Sequence, residues 1–344
     1  MDAAFTAEQD AIRRTLHELL DATAPGEHRR ELWCRLTEGL ERAPLAPPLL
    51  TTDVLAAPLL AALGTEEQRA TLLPDLVAGH SSAALAVSGA ALSVALGLTG
   101  DNADGGWAGG GRSGGVQARR GEKGWVLYGQ AEQVLDGHSA DLLLVAAHTG
   151  GFARGRVLLF LVRAKEAVGL ARVRQTAAEE ARPQATLQLR YVDGELLGSG
   201  EGVAEALGTV GRTAAVVLAA EAVGVAERLL APAADRAGGR VRLAEAYAAV
   251  EAARSAAYRT VWHPADASGG VLALAQGLEA LRTAATEVMR VGGGDGAREA
   301  RDCFARAAAD EVLFGPVERL RARAVEVSGA FGRTEAGAAG REAV

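Results

Sequence analysis

Residues Leu127–Ala147 read LYGQAEQVLDGHSADLLLVAA, and with the preceding GWV they hold two short apolar runs separated by a polar turn. The first run, GWVLYG, alternates in character, whereas the second, DLLLVAA, is apolar after its opening Asp141. Both patterns belong to strands, one with a wetted face and one covered on both sides. Working outward, GVQARR lies before them and RVLLFLV, LARVRQ and ATLQLRYV follow, each bounded by glycine-rich turns. From about residue 83 to 195 the chain therefore reads as an antiparallel sheet or small barrel. The glycine-rich GGWAGGGRSGG at 105–115 lacks the Gly-Lys-Ser/Thr ending of a phosphate loop and reads as a mobile hairpin connection.

On either side the period changes to that of helices. In FTAEQDAIRRTLHELL the apolar residues Phe5, Ile12, Leu16, Leu19 and Leu20 recur at helical spacing, with Thr6 and Gln9 placed as a capping box. ELWCRLTEGLERA and DVLAAPLLAALG continue as helices, broken by Pro44, Pro47 and Pro48, and GTEEQRATLLPDLVAGH adds a short helix closed by Gly79. After Gly202 a helix over about 205–231 is apolar on every side and is expected at the centre of a bundle. A second spans about 240–262. A third carries Leu274, Leu278, Leu281, Ala285 and Val288 in one stripe, and a last one carries Leu313, Val317, Leu320, Ala324 and Val327. The tail GAFGRTEAGAAGREAV has little to bury and is expected to be disordered.

Composition narrows the function. A chain of 344 residues, 49% hydrophobic and 23% charged, with a net charge of -7, offers no basic face for nucleic acid or an anionic membrane. No apolar run reaches the ~20 residues of a membrane span, and the N-terminus has no leader pattern, so a cytoplasmic protein is expected. Cys34 and Cys303 are too few for a disulfide framework and read as buried free thiols. The six histidines show no metal-ligand spacing, and no metal is expected. Asp136, His138, Ser139 and Asp141 crowd one turn, but neighbours on a turn rarely form the spatial arrangement of a hydrolytic triad.

Five segments in order resemble the acyl-CoA dehydrogenase superfamily: FTAEQDAIRRTLHELL, LGTEEQRATLLPDLVAGH, GWVLYGQAEQVLDGHSADLLLVAA, LAAEAVGVAERLL and FARAAADEVLFGPVERLRARA. The resemblance runs over most of residues 5–328. It implies an α+β fold with an N-terminal helical domain (1–82), a middle antiparallel β domain (83–200) and a C-terminal four-helix bundle (201–328), followed by the tail at 329–344. It also implies FAD as cofactor and an acyl-CoA or carrier-bound acyl substrate. In that chemistry the flavin takes a hydride from the β-carbon of an acyl thioester while a carboxylate removes the α-proton.

The flavin motifs depart from the family pattern. Where the family has Thr-Glu-Pro, this chain has Val87, Ser88 and Gly89, leaving the hydroxyls of Ser88 and Ser93 as candidates to face a phosphate. Where it has Trp-Ile-Thr, covering the isoalloxazine and reaching N5, this chain has Gln133, Val134 and Leu135. The Arg-x-Gln-Phe-Gly stretch is reduced to GGRVRL, where Arg240 or Arg242 keeps a charge, and a second deletion falls after Trp33. The glycine turn with which one family subunit reaches its neighbour's flavin is kept in part, as Gly293, Gly294 and Gly296 with Arg290 in place of Gln. For the base, one family branch points to Ala214 and another to Asp310 or Glu311; the alternative for these acids is a solvated face. Arg112, Arg119 and Arg120 are either contacts for a CoA phosphate or solvent-facing charges.

The resemblance implies a divergent subunit of a heteromeric FAD-dependent acyl-thioester dehydrogenase, its own flavin site degenerate. The flavin would then be bound at an interface with an acyl-CoA dehydrogenase-like partner. Two alternatives stay open: a stand-alone FAD oxidoreductase, in a homo-oligomer, or a non-redox scaffold or binding protein. Whether the chain is itself an enzyme stays open with them.

Overall fold

A computed structural model describes residues 7–20, 31–40 apart from 33 and 37, 45, 47–109, 115–150 apart from 123, 155–176, 179–234, 241, 243–263, 266–291 and 294–330. The capping box at Thr6, the tail from 331, Trp33, Arg112, Arg240, Arg242 and Gly293 lie outside these residues.

The first helices follow the expected order. Helix α1 (Ala7–Leu20) buries Ile12, and helical backbone recurs through the described part of 31–40. A π-helical segment, Leu49–Ala56, runs into α2 (Ala57–Leu63). Its three polar residues are buried and each is anchored. Thr51 Oγ1 donates to the Asp136 carboxylate at 3.3 Å, Thr52 Oγ1 accepts from the Ala83 N–H at 2.9 Å, and Asp53 pairs with Arg13 at 3.1 Å. These bonds tie the first helices to the start of the sheet.

Helix α3 (Glu66–Ala78) begins with a capping box, in which the Gln68 N–H donates to Thr65 Oγ1 and the Thr65 N–H to Gln68 Oε1. It ends at Gly79, held at φ 75° in the left-handed region. Gln68 also donates to the Leu196 carbonyl at 2.9 Å, locking the cap onto the last strand. Thr65→Ala is expected to cost about 1 kcal/mol, read as a lower denaturant midpoint at unchanged slope.

Seven strands follow: β1 (Ala83–Ala86), β2 (Val116–Gly121), β3 (Gly124–Leu135), β4 (Leu142–Thr149), β5 (Arg156–Arg163), β6 (Leu170–Arg174) and β7 (Gln184–Leu196). The pairings β4–β2, β2–β3, β3–β7, β7–β5 and β5–β4 close a ring, with β1 added beside β4 and β6 beside β7. The small barrel expected from the pattern is present. Two of its pairings, β1–β4 and β2–β4, are parallel. Strand β4 carries both of them, and its apolar part is buried on each face, Leu143, Val145 and Ala147 in the barrel core and Leu142, Leu144 and Ala146 against the helices. Leu127, Leu143, Val145, Phe160, Leu187 and Val192 fill a core of their own, while Leu135, Leu142, Leu144 and Leu159 face the helices.

Between β1 and β2 lies a two-turn helix, α4 (Gly89–Ala95). After the barrel come α5 (Val203–Ala234), α6 (Ala244–Trp262), α7 (Gly269–Val291), α8 (Asp295–Phe314) and α9 (Val317–Ser328). Helix α5 is central, as its all-round apolar surface requires, and the stripe Leu274 to Val288 on α7 is buried. The stripe expected on one last helix is divided between two. Gly315, at φ 115°, and Pro316, without an N–H, end α8, so Leu313 belongs to α8 and the other four residues to α9, where Val327 is exposed.

Candidate functional site

The turn at Val87–Gly89, the end of β3 and helix α8 meet at one place. Gly89, first residue of α4, is buried there. A methyl group on it would stand 2.7 Å from Gln133 Cβ, 2.8 Å from the Gln133 carbonyl oxygen and 3.3 Å from Leu313 Cδ2. Gln133 itself sits in a bulge of β3, between the Ala131 and Val134 register positions, with φ at 54°. The two segments that the resemblance sets along a flavin are thus packed together here, and Leu313 of α8 lies against Gly89.

Other side chains at this place are already committed. Leu135 is 3% exposed and belongs to the main apolar cluster. Ser93, a candidate for phosphate, is buried and hydrogen-bonded to Thr99 at 2.8 Å. Ser88 is half-buried at the start of α4 and its side chain makes no capping bond. Ala214 is buried on α5, with no group that can move a proton.

Asp310 is buried rather than solvated. Arg182, just before β7, donates Nε to Asp310 Oδ1 at 2.7 Å and Nη2 to Oδ2 at 3.2 Å. The same Nη2 reaches Glu221 Oε2 at 2.5 Å, and Nη1 donates to the carbonyls of Leu45 at 3.1 Å and Ala181 at 3.2 Å. All five N–H bonds of a fully buried guanidinium are therefore used. Glu221 Oε1 accepts the Leu45 N–H at 3.0 Å. Glu311, one residue on, pairs with Arg282 of α7 at 2.9 Å, and partial burial raises its carboxyl above the usual range.

Arg182 and Glu221 were not singled out from the sequence. A signal existed for Glu221, the one carboxylate in the apolar run VVLAAEAVGVA of the central helix, since a charge there must find a partner. Arg182 had none, because ARPQ looks like an ordinary turn.

The glycine turn before α8 lies at the surface. Gly294 adopts φ 65° and ψ -133°, and a methyl group on it would meet nothing within 4 Å. Arg290 is exposed and paired with Glu287 at 2.5 Å, and Gly296 is half-buried. Arg119 and Arg120 are exposed and lie over the rings of Tyr191 and Trp125 at 5.4 and 5.2 Å. Cys303 is buried and its thiol is pushed up to about 11, whereas Cys34 is only half-buried and bonds Tyr258 at 2.9 Å. In the DGHSAD turn Ser139 bonds Asp136, not His138, whose Nδ1 is buried without a hydrogen-bond partner. No group of acidic, His or Cys side chains among the described residues could hold a metal ion, and none of their helices is long and apolar enough to cross a membrane.

Helices, a closed barrel with flanking strands, and a bundle around a central helix make up the acyl-CoA dehydrogenase fold, and solved structures align over nearly the whole chain. A glutaryl-coenzyme A dehydrogenase in complex with glutaryl-CoA superposes with a TM-score of 0.73 at 19% identity, covering 94% of this chain and 87% of its own. The ChsE4–ChsE5 complex from Mycobacterium tuberculosis gives 0.65 at 24% identity, covering 95% and 99%. The prolyl acyl carrier protein oxidase AnaB gives 0.72 at 18% identity, covering 93% and 89%. No family model and no curated protein matches the sequence.

Proposed function

We propose that this chain is a subunit of a heteromeric acyl-thioester dehydrogenase that holds no flavin itself and completes the site of a flavin-bearing partner of the same fold. The observation that carries the proposal is the contact among Gly89, Gln133 and Leu313. An isoalloxazine needs a slot between those segments, and here even one added methyl group lacks room. The residues present do not fit the group on chemical grounds either. Gln133 and Leu135 supply neither an aromatic face nor a hydroxyl, and stacking and hydrogen bonding each contribute on the order of 1 kcal/mol. Neither proposed base is free, since Asp310 and Glu311 are each bonded to an arginine.

What the chain offers a partner is the surface at Gly294, next to Gly293 in sequence, with Gly296 in the first turn of α8 and Arg290 in the last turn of α7. Glycine backbone at such a turn lets a pyrophosphate come close. ChsE4–ChsE5, a complex of two differently named chains in this fold, is a precedent for the architecture. We place the divisions of the fold near residues 82 and 200. The partner would supply the base, the flavin and the acyl-CoA or carrier-bound acyl substrate.

The proposal is tested on the isolated chain by titrating FAD and following flavin fluorescence and thermal stability. Neither is expected to change. Retention of one flavin per chain after dialysis would replace the proposal with a stand-alone flavoprotein.

A further inference from the structure

Tyr191 is held in the left-handed backbone region, at φ 58°. It is the extra residue of a bulge in β7: Leu127 faces Val192 and Tyr128 faces Arg190, which leaves Tyr191 with no residue opposite. Glycine takes such a position without steric cost, whereas a side chain there is strained. The ring does not enter the core. Tyr191 is 67% exposed and stacks on Tyr128, 39% exposed, with ring centres 6.2 Å apart, and the Arg119 guanidinium lies 5.4 Å from the Tyr191 centre. Two of the four tyrosines of the chain thus stand together in water. Strain kept for a side chain outside the core points to use of that side chain at a surface.

Register defines the surface around it. Gln117, Tyr128 and Arg190 form one cross-strand row of β2, β3 and β7, and Arg119, Val126 and Asp193 form another. Residues opposite one another share a face, here the one turned away from the core that holds Leu127 and Val192. The chain has 43 acidic and 36 basic residues, but this corner reverses the balance. Arg119 and Arg190 are exposed, as is Arg120 at the rim over Trp125, and none of the three enters an ion pair among the described residues. The carboxylates nearby are Asp193, in the second row, and Glu122, in the turn between β2 and β3. The charged barrel residues outside the description are Arg112, Lys123 and Arg154, all basic. Exposed tyrosine and arginine with few carboxylates is the composition of a protein interface. Three strands about 4.8 Å apart span about 10 Å, the diameter of one helix.

We propose that this corner of the barrel docks an acidic amphipathic helix of a partner protein, with apolar side chains of the helix on Tyr128 and Tyr191 and its carboxylates on Arg119 and Arg190. Unpaired guanidiniums bind carboxylates in charge-assisted hydrogen bonds. A free phosphate ion would meet the charges but leave both rings in water, whereas a helix covers rings and charges together. Tyr128 lies five residues from Gln133 on β3, about 17 Å along an extended strand. The corner is therefore separate from the Gly89–Gln133 contact, and the docking does not depend on whether the chain binds flavin.

The test is made on the full chain with a fluorescein-labelled peptide of about five helical turns, leucine on one face and glutamate on the other, and with its lysine counterpart. Anisotropy is expected to rise with the glutamate peptide alone, with an affinity that falls as salt is added. Replacing Arg119 and Arg190 together by alanine is expected to weaken binding about tenfold or more. Tyr191→Gly is expected to weaken it as much while the melting temperature stays equal or rises, because glycine relieves the strain at φ 58°. No binding of the glutamate peptide at low salt would overturn the proposal, as would unchanged binding by the variants. A lower melting temperature of Tyr191→Gly would also overturn it, since the ring would then serve the fold. Displacement of the peptide by inorganic phosphate, beyond the effect of sodium chloride at equal ionic strength, would replace the helix with a small anion. A dimer of the wild type in sedimentation, lost in Tyr191→Gly, would assign the corner to a second copy of the chain instead.

Discussion

Arg182→Ala is expected to lower the stability of the chain by about 3–5 kcal/mol. The substitution removes five hydrogen bonds at once and strands Asp310 and Glu221 as two buried carboxylates with no guanidinium between them. A domain has about 5–15 kcal/mol in total, so the variant should be largely unfolded in mild denaturant and expressed in low yield. Replacing Arg182, Glu221 and Asp310 together by Met, Leu and Leu should recover most of the loss, because apolar groups of similar volume leave no charge behind. Urea unfolding of the two variants separates the explanations. Equal damage in both would mean that the site matters for its shape and not for its charges.

Gly211→Ala is expected to cost about 3 kcal/mol. Helix α5 passes the end of α4 so closely that an added methyl group would sit 1.9 Å from the Leu96 carbonyl oxygen and 2.8 Å from its carbon. Both are backbone atoms and cannot rotate away. The other end of α4 is equally confined, with Gly89 on Gln133 and Leu313. The helix is therefore held at both ends, and the packing of Gly89 on Gln133 cannot relax by a shift of α4 alone. A Gly211→Ala midpoint equal to that of the wild type would show slack in this part of the fold.

The fold was legible because its signals are local and periodic. The alternation in GWVLYG, the unbroken LLLVAA and the apolar 205–231 each report a particular burial, and the structure has those burials. The break at Gly315–Pro316 was written in the sequence too, but a continuous apolar stripe outweighed it in the reading. The Thr65–Gln68 capping box was equally local but was not read from the sequence, where only Thr6 and Gln9 were placed as one. The candidate site was less legible because its contacts are distant in sequence. Nothing near Asp310 announces Arg182, 128 positions away, or Glu221 on another helix. Two acids on a late helix looked like a solvated face, and a buried guanidinium turned one of them inward. The missing Trp-Ile-Thr could be read directly at Gln133–Leu135. That Gly89 packs against Gln133 and Leu313 is supplied only by the three-dimensional structure.

The central claim is that this chain serves another chain's flavin. The most direct measurement is the visible absorption spectrum of the purified protein, expressed alone and then together with a flavin-bearing chain of the same fold. The account predicts no flavin band from the chain alone, and a stable complex with one flavin per pair on co-expression. A flavin band from the chain alone would contradict it.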